Sequence, residues 1–134
     1  MKTPGNISIL LVDDDIDDQE IFLLTMQDTG NEVECEFACD GIQALEKLAR
    51  IAYEPHLIFI DINMPKMNGI ELLAELKQNP RLDRTPMYMY STSDQQEIVA
   101  RCLELGASGF MKKSPDIEHL RRDFQHVIDN RAVL

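Results

Sequence analysis

The sequence predicts an α/β fold, a doubly wound (βα)5 domain built on a five-stranded parallel sheet. Three observations predict it. Apolar runs alternate five times with segments of helical periodicity, joined by short connections. Two of the runs, Ile7 to Val12 and Leu57 to Ile60, have almost no polar interruption, the pattern of strands buried on both faces. Both end abruptly in carboxylates, at Asp13-Asp14-Asp15 and at Asp61, where open α/β sheets place their chemistry.

Taken in order, the first helix runs from Ile16 to about Asp28, turns Phe22, Leu23 and Met26 inward and stops at Gly30. Asp17 and Asp18 read as a solvated helix start, favoured by the positive N-terminus. Glu32 to Cys39 form the second strand. Asp40-Gly41 turns the chain into a helix whose inward stripe is Ile42, Leu45 and Ala49, ending before Pro55. After Asp61, Met64-Pro65-Lys66-Met67-Asn68-Gly69 breaks the third strand, and Ile70, Leu72, Leu73 and Leu76 open a helix that lasts to about Gln78. The polar stretch 79–86, with Pro80 and Pro86, cannot continue that helix.

Met87 to Tyr90 is the fourth strand and runs into Ser91-Thr92-Ser93. Ser93 with Gln96, or Asp94 with Glu97, starts the fourth helix by a capping box; Ile98, Cys102 and Leu105 face inward before Gly106 closes it. Gly109 to Met111 is the fifth strand and leads to Lys112-Lys113. The fifth helix carries Ile117, Leu120, Phe124, Val127 and Ile128 inward, with Ser114 as N-cap and Pro115 at the first helical position.

With 134 residues, the expectation is one domain over 1–134, its core from about 7 to 128, and no effector domain. Net charge is −11, which argues against a partner such as DNA. No apolar run approaches the ~18 residues of a membrane span, and Met1 to Asn6 lacks the apolar core of a signal peptide. A cytoplasmic protein is expected, its three cysteines reduced, with Cys35 and Cys39 partly buried on one strand face.

If the first and third strands are parallel neighbours, Asp13, Asp14 and Asp61 meet within a few ångströms. Each like-charge pair at ~4 Å costs several kcal/mol at a surface-like dielectric, so the cluster needs raised pKa values or a bound cation. Oxygen-only donors with water completing the shell suit Mg²⁺. Ser91 and Lys113, at two further strand ends, bring a hydroxyl and an ammonium to the same crevice. Alone, such a Ser is usually a helix cap and such a Lys a solvated charge; four strand ends in this order are far more specific.

On Val12-Asp13-Asp14, Asp61-Ile62-Asn63-Met64-Pro65 with Gly69, Ser91-Thr92, and Gly106-Ala107-Ser108-Gly109-Phe110 leading to Lys113, the chain resembles the receiver domain of two-component response regulators. The resemblance implies the flavodoxin-like, CheY-like sheet order 2-1-3-4-5 and a phosphoryl group accepted by Asp61 from the phosphohistidine of a sensor histidine kinase or a phosphotransfer protein. It also implies Mg²⁺ held by Asp14, Asp61 and the Asn63 backbone carbonyl, with Asp13 binding directly or through water. Lys113, Ser91 and Thr92 would serve the phosphoryl oxygens. Ser91 and Phe110 would relay the change to a binding surface formed by the fourth helix, fifth strand and fifth helix.

No turnover of an external substrate is expected, and the protein would be a monomer or weak dimer. The spacer Lys77 to Leu82 and Thr92-Ser93 resemble single-domain regulators paired with phytochrome-type or hybrid kinases. Two readings compete: a haloacid-dehalogenase-type phosphatase, which would want D-x-D after the first strand, and an FMN carrier, whose phosphate Asp13, Asp14 and Asp15 would repel. A third is a receiver that takes no phosphate and acts as a constitutive binding module. Family members usually follow the active-site lysine with a cis-bonded Pro. Here Ser114 intervenes before Pro115, and because a cis bond before a non-proline costs ~2.5–4 kcal/mol, Lys113-Ser114 is expected to be trans.

Overall fold

The computed structural model describes residues 6–131 except 51. The reading of Met1 to Gly5 and the outer limits of the 1–134 domain lie outside the described residues.

Five strands form one parallel sheet: β1 Asn6–Val12, β2 Glu32–Ala38, β3 Leu57–Ile60, β4 Met87–Ser91 and β5 Gly109–Lys112. Their order is β2-β1-β3-β4-β5, the doubly wound order expected. Between them run α1 Ile16–Gln27, α2 Gly41–Leu48, α3 Gly69–Leu76, α4 Gln96–Glu104 and, last, α5 Ile117–Arg131. A single 3-10 turn, Pro80–Leu82, interrupts the polar linker and buries Leu82.

Because side chains alternate along a strand, β1 and β3 feed two separate cores. Ile7, Ile9, Leu11, Leu57 and Phe59 face α1 and α5, where Phe22 meets Phe59 and Phe124 edge to face at 5.0 and 4.9 Å. Leu10, Val12, Ile58 and Ile60 face α2, α3 and α4 through Leu48, Leu72, Leu73 and Cys102. No residue of β3 is exposed, as its unbroken apolar run demands.

Five local expectations are corrected. The buried stripe of α2 is Gly41, Ala44 and Leu48; Ile42 and Ala49 are exposed and Leu45 half-buried, because the Asp40 N-cap and the docking of Gly41 under Met67 rotate the helix by one position. Neither capping box starts α4: its N-cap is Gln95, without a side-chain hydrogen bond. The start of α5 belongs to Asp116, which accepts from the N–H groups of Glu118 and His119 at 3.1 and 3.4 Å, while Ser114 only braces Asp116; Ile117 points to solvent. Cys39 lies past the end of β2 and is exposed, whereas Cys35 is half-buried and Cys102 buried, all as free thiols. In α1, Thr25 takes a buried place beside Phe22 and Met26, and Leu23 is half-buried.

No cis peptide occurs among the described residues, so Lys113-Ser114 is trans, as expected. None of the described helices is long and apolar enough to cross a membrane.

Candidate functional site

Register brings the carboxylates together. Val12 pairs with Ile60 across β1 and β3, so the residues that follow, Asp13 and Asp61, leave the sheet side by side. The Asp61 N–H donates to Val12 O at 2.8 Å and the Asp13 N–H to Ala38 O at 2.9 Å, which extends the ladders one residue beyond the strands. Asp13, Asp14 and Asp61 offer oxygens that all lie within 4.8 Å of one another. Asp13 and Asp61 are buried and Asp14 is exposed, so the cluster opens to solvent on one side. An all-oxygen set with an open side fits a hard divalent cation that keeps water in its shell.

Lys113 reaches in from the end of β5, with its N–H on Ser91 O at 2.8 Å. Its Nζ donates to Asp13 Oδ2 and Asp18 Oδ2, each at 2.8 Å, and more distantly to Asp61 Oδ2 at 3.4 Å. The ammonium also sits over the Tyr90 ring, 5.2 Å from its centroid. Asp18 is thus part of the site, which corrects its reading as a solvated helix charge; Asp17 remains exposed. Sequence reasoning missed both Asp18 and Tyr90. For Asp18 the available signal was its place one helical turn past the Asp13-Asp14 strand end.

Burial is the main cause that lifts Asp61 to about 6; repulsion from Asp13 adds to it, while the Lys113 charge and the Asn63 N–H pull the other way. Asp13 is raised for the same first reason, against hydrogen bonds from Lys113 and the Asp15 N–H. Burial acts to lower Lys113, yet its hydrogen bonds to Asp13 and Asp18 and the charges of Asp13 and Asp61 hold it above its ordinary value. The asymmetry follows from the numbers of charges. Three carboxylates face one ammonium, so the lysine is fully compensated and each carboxylate only in part.

Ser91 is fully buried at the end of β4, opposite Lys112 in register, and its Oγ accepts from the Ser93 N–H at 3.3 Å. Thr92 and Asn63 are exposed at the mouth of the crevice. Phe110 is half-buried on β5, against the core beneath α4. The structure therefore brings Asp13, Asp14, Asp61 and Lys113 together, lines the same edge with Ser91, Thr92 and Asn63, and sets Phe110 behind it.

The family model of the response regulator receiver domain matches residues 9–125. The chain belongs to that family. Among curated relatives of this receiver domain, response regulator Rcp1 of Synechocystis sp. is 33% identical over 124 residues, 89% of this chain and 84% of Rcp1. A protein-glutamate methylesterase/protein-glutamine glutaminase 1 of Methanospirillum hungatei is 30% identical over 92% of this chain, but the match spans only 36% of that protein. Of solved structures, the Mn²⁺-bound form of Rcp1 superposes with a TM-score of 0.79 at 31% identity, covering 90% of this chain and 91% of that one. The phosphorylated cyanobacterial phytochrome response regulator RcpA gives 0.82 at 28% identity, with 91% of each chain covered. CheY4 of Vibrio cholerae gives 0.76 at 32%, covering 90% of this chain and 98% of that one.

Proposed function

We propose that this receiver domain accepts a phosphoryl group on Asp61 from the phosphohistidine of a sensor histidine kinase or phosphotransfer protein. One observation carries the reading: Asp61, buried at the end of the central strand, shares with Asp13 both the three-carboxylate cluster and the Lys113 ammonium, and its longer 3.4 Å contact leaves it the less engaged of the two.

An Asp61 oxygen attacks phosphorus, a P–O bond forms, and the P–N bond to imidazole breaks with its electron pair returning to the ring nitrogen. The charge of a metaphosphate-like transition state lies on the equatorial oxygens, so positioning and fixed charge supply the catalysis. Lys113 pairs with one phosphoryl oxygen and the Ser91 hydroxyl donates to another, with the Thr92 N–H beside it. Asp14, Asp61 and the Asn63 carbonyl, with Asp13 directly or through water, would hold Mg²⁺, which would offset the charge of the carboxylates and of the transferring group. At pH 7, above the value near 6 to which Asp61 is lifted, its carboxylate is mostly ionised and nucleophilic.

The new phosphoryl charge, about −1.5 to −2, draws the Ser91 loop inward, and Phe110 follows to alter the surface of α4, β5 and α5. The likeness to a phytochrome response regulator supports a phytochrome-type kinase as the donor. The domain promotes its own phosphorylation and dephosphorylation, with no external substrate turned over.

Incubation with acetyl phosphate and Mg²⁺ tests the reading by intact mass. An acid-stable, base-labile phosphoryl adduct is expected on the wild type and none on Asp61→Ala; no adduct, or one that survives the substitution, overturns it.

A further inference from the structure

We infer that Asp18 is a positioning residue that draws the Lys113 ammonium toward α1 and so limits how strongly the lysine engages the phosphoryl group. The inference rests on Asp61 being the phosphoacceptor and deepens that reading.

Three observations carry it. A lysine ammonium has three protons to donate and no more. Two of them are directed at 2.8 Å to Asp13 and Asp18, which leaves the longer 3.4 Å contact for Asp61. The backbone of Lys113 is anchored by its N–H bond to Ser91 O, and the ammonium rests over the Tyr90 ring.

Next, Asp18 is held in place for this contact. Its own N–H donates to the Asp15 side chain at 3.1 Å, which fixes it as the third residue of α1. An acidic residue at that helical position commonly reaches back to the N-cap N–H, as Glu71 does to Asn68 in α3 at 3.1 Å. In α1 that N–H, of Asp15, is already taken by Asp13 Oδ1 at 2.9 Å. Asp18 is thereby released from the capping role and spans to Lys113 instead.

Finally, Asp18 lies outside the cluster of Asp13, Asp14 and Asp61. A cation held by those three would compete with Lys113 for Asp13, whereas the Asp18 contact would persist. Asp18 is then the one carboxylate that holds the lysine back throughout the phosphorylation cycle. Its removal frees one donor and one countercharge for the phosphoryl oxygens.

Beryllofluoride with Mg²⁺, a noncovalent mimic of the phosphoryl group on a carboxylate, provides the test by NMR titration. Asp18→Ala is expected to bind it roughly tenfold more tightly than wild type, the scale of one charge-assisted hydrogen bond reassigned. The gain should vanish in a Lys113→Gln background, and Asp18→Glu should restore wild-type affinity. Equal or weaker binding by Asp18→Ala overturns the inference. So does a gain that persists without Lys113, because direct repulsion between Asp18 and the anion would then explain it.

A readout without metal accompanies it. In EDTA, the thermal midpoints of Asp18→Ala, Lys113→Gln and the double variant should be non-additive, and additivity would remove the pairing on which the inference stands. Failure of the wild type to bind beryllofluoride at all sinks the phosphoacceptor reading and this inference together. Binding by wild type with no change in Asp18→Ala sinks this inference alone.

Discussion

The two loops that frame the crevice are built to different standards. The β3–α3 loop, which carries Asp61, is pinned at every turn. The Gly69 N–H bonds Ile62 O at 2.8 Å, Asn68 and Glu71 close a full capping box, and Met67 lies against Gly41 so closely that no Cβ would fit there. Lys66 even adopts a left-handed φ of 67°, with its ammonium 3.7 Å from Asp40. The β4–α4 loop leaves the sheet at Ser91, whose carbonyl still accepts from the Lys113 N–H at 2.8 Å; beyond it the loop is held by the 3.3 Å bond from the Ser93 N–H and an exposed Asp94–Lys112 pair at 3.6 Å, and it ends in a helix start without a side-chain cap. The difference teaches a division of labour: the loop bearing Asp61 is tied by many contacts, and the loop bearing Ser91 by few. Local stability sets which segment can respond to a new charge.

The strongest way to break this contrast is Gly69→Ala. A Cβ there would run into the Asp61 carbonyl and lie 2.8 Å from Ile62 Cα, all backbone that cannot yield. We expect a loss of about 3 kcal/mol in urea unfolding together with loss of the acetyl phosphate adduct. Ser93→Ala, in the other loop, should stay within about 0.5 kcal/mol; equal effects would erase the distinction.

Mg²⁺ should act on the fixed side. At ~100 times Kd it is expected to stabilise the fold by about 2.7 kcal/mol, because it offsets a carboxylate cluster that folding must otherwise tolerate. Asp14→Asn should remove most of that response and raise metal-free stability. Thermal midpoints that respond equally in both proteins would refute the metal assignment.

The same strain should appear as a pH dependence of the metal-free protein. Asp61 in the folded state titrates near 6, above its ordinary 3.8, so the folded protein binds its proton more tightly than the unfolded chain does. Stability from this group is therefore greatest below about 4 and declines as pH rises to about 6, on the order of 2 kcal/mol, with buried Asp13 acting in the same direction. Urea unfolding in EDTA across pH 4 to 7.5 measures it, and Asp61→Asn should flatten the slope.

The smallest effect sharpens the comparison at the helix starts. Asn68→Ala should cost about 1 kcal/mol by removing a made cap, whereas Gln95→Asp should add about 0.5–1 kcal/mol by supplying a missing one. Gln95→Asp should also weaken beryllofluoride binding if α4 must shift to accommodate the anion. An unchanged melting midpoint would mean that the α4 start is already satisfied in another way.

How much of this was legible in the sequence follows from the range of each interaction. Asp13, Asp61, Ser91 and Lys113 could be placed because each terminates a strand, and parallel strands bring their ends to one edge whatever the details of packing. The turn at Gly30, with φ of 82°, and the inward faces of α3 and most of α5 were likewise local statements. The rest needed neighbours. The stripe of α2 depends on how Met67 seats against Gly41, and the start of α4 on where the loop leaves Ser91, choices that several capping residues in the sequence left open.

The sequence by itself determined the five-fold alternation, the buried central strands and the identity of the groups at their ends, since periodicity and strand termination are encoded over a few residues. Tertiary structure alone decided how those groups share charge. Lys113 is bound more closely by Asp13 and Asp18 than by Asp61, and rests on Tyr90, because α1 packs on the same side of the sheet as α5 and its first turn lies within reach of the Lys113 side chain. Electrostatic partnership depends on distances of a few tenths of an ångström between residues up to 100 positions apart, and no local pattern carries that information.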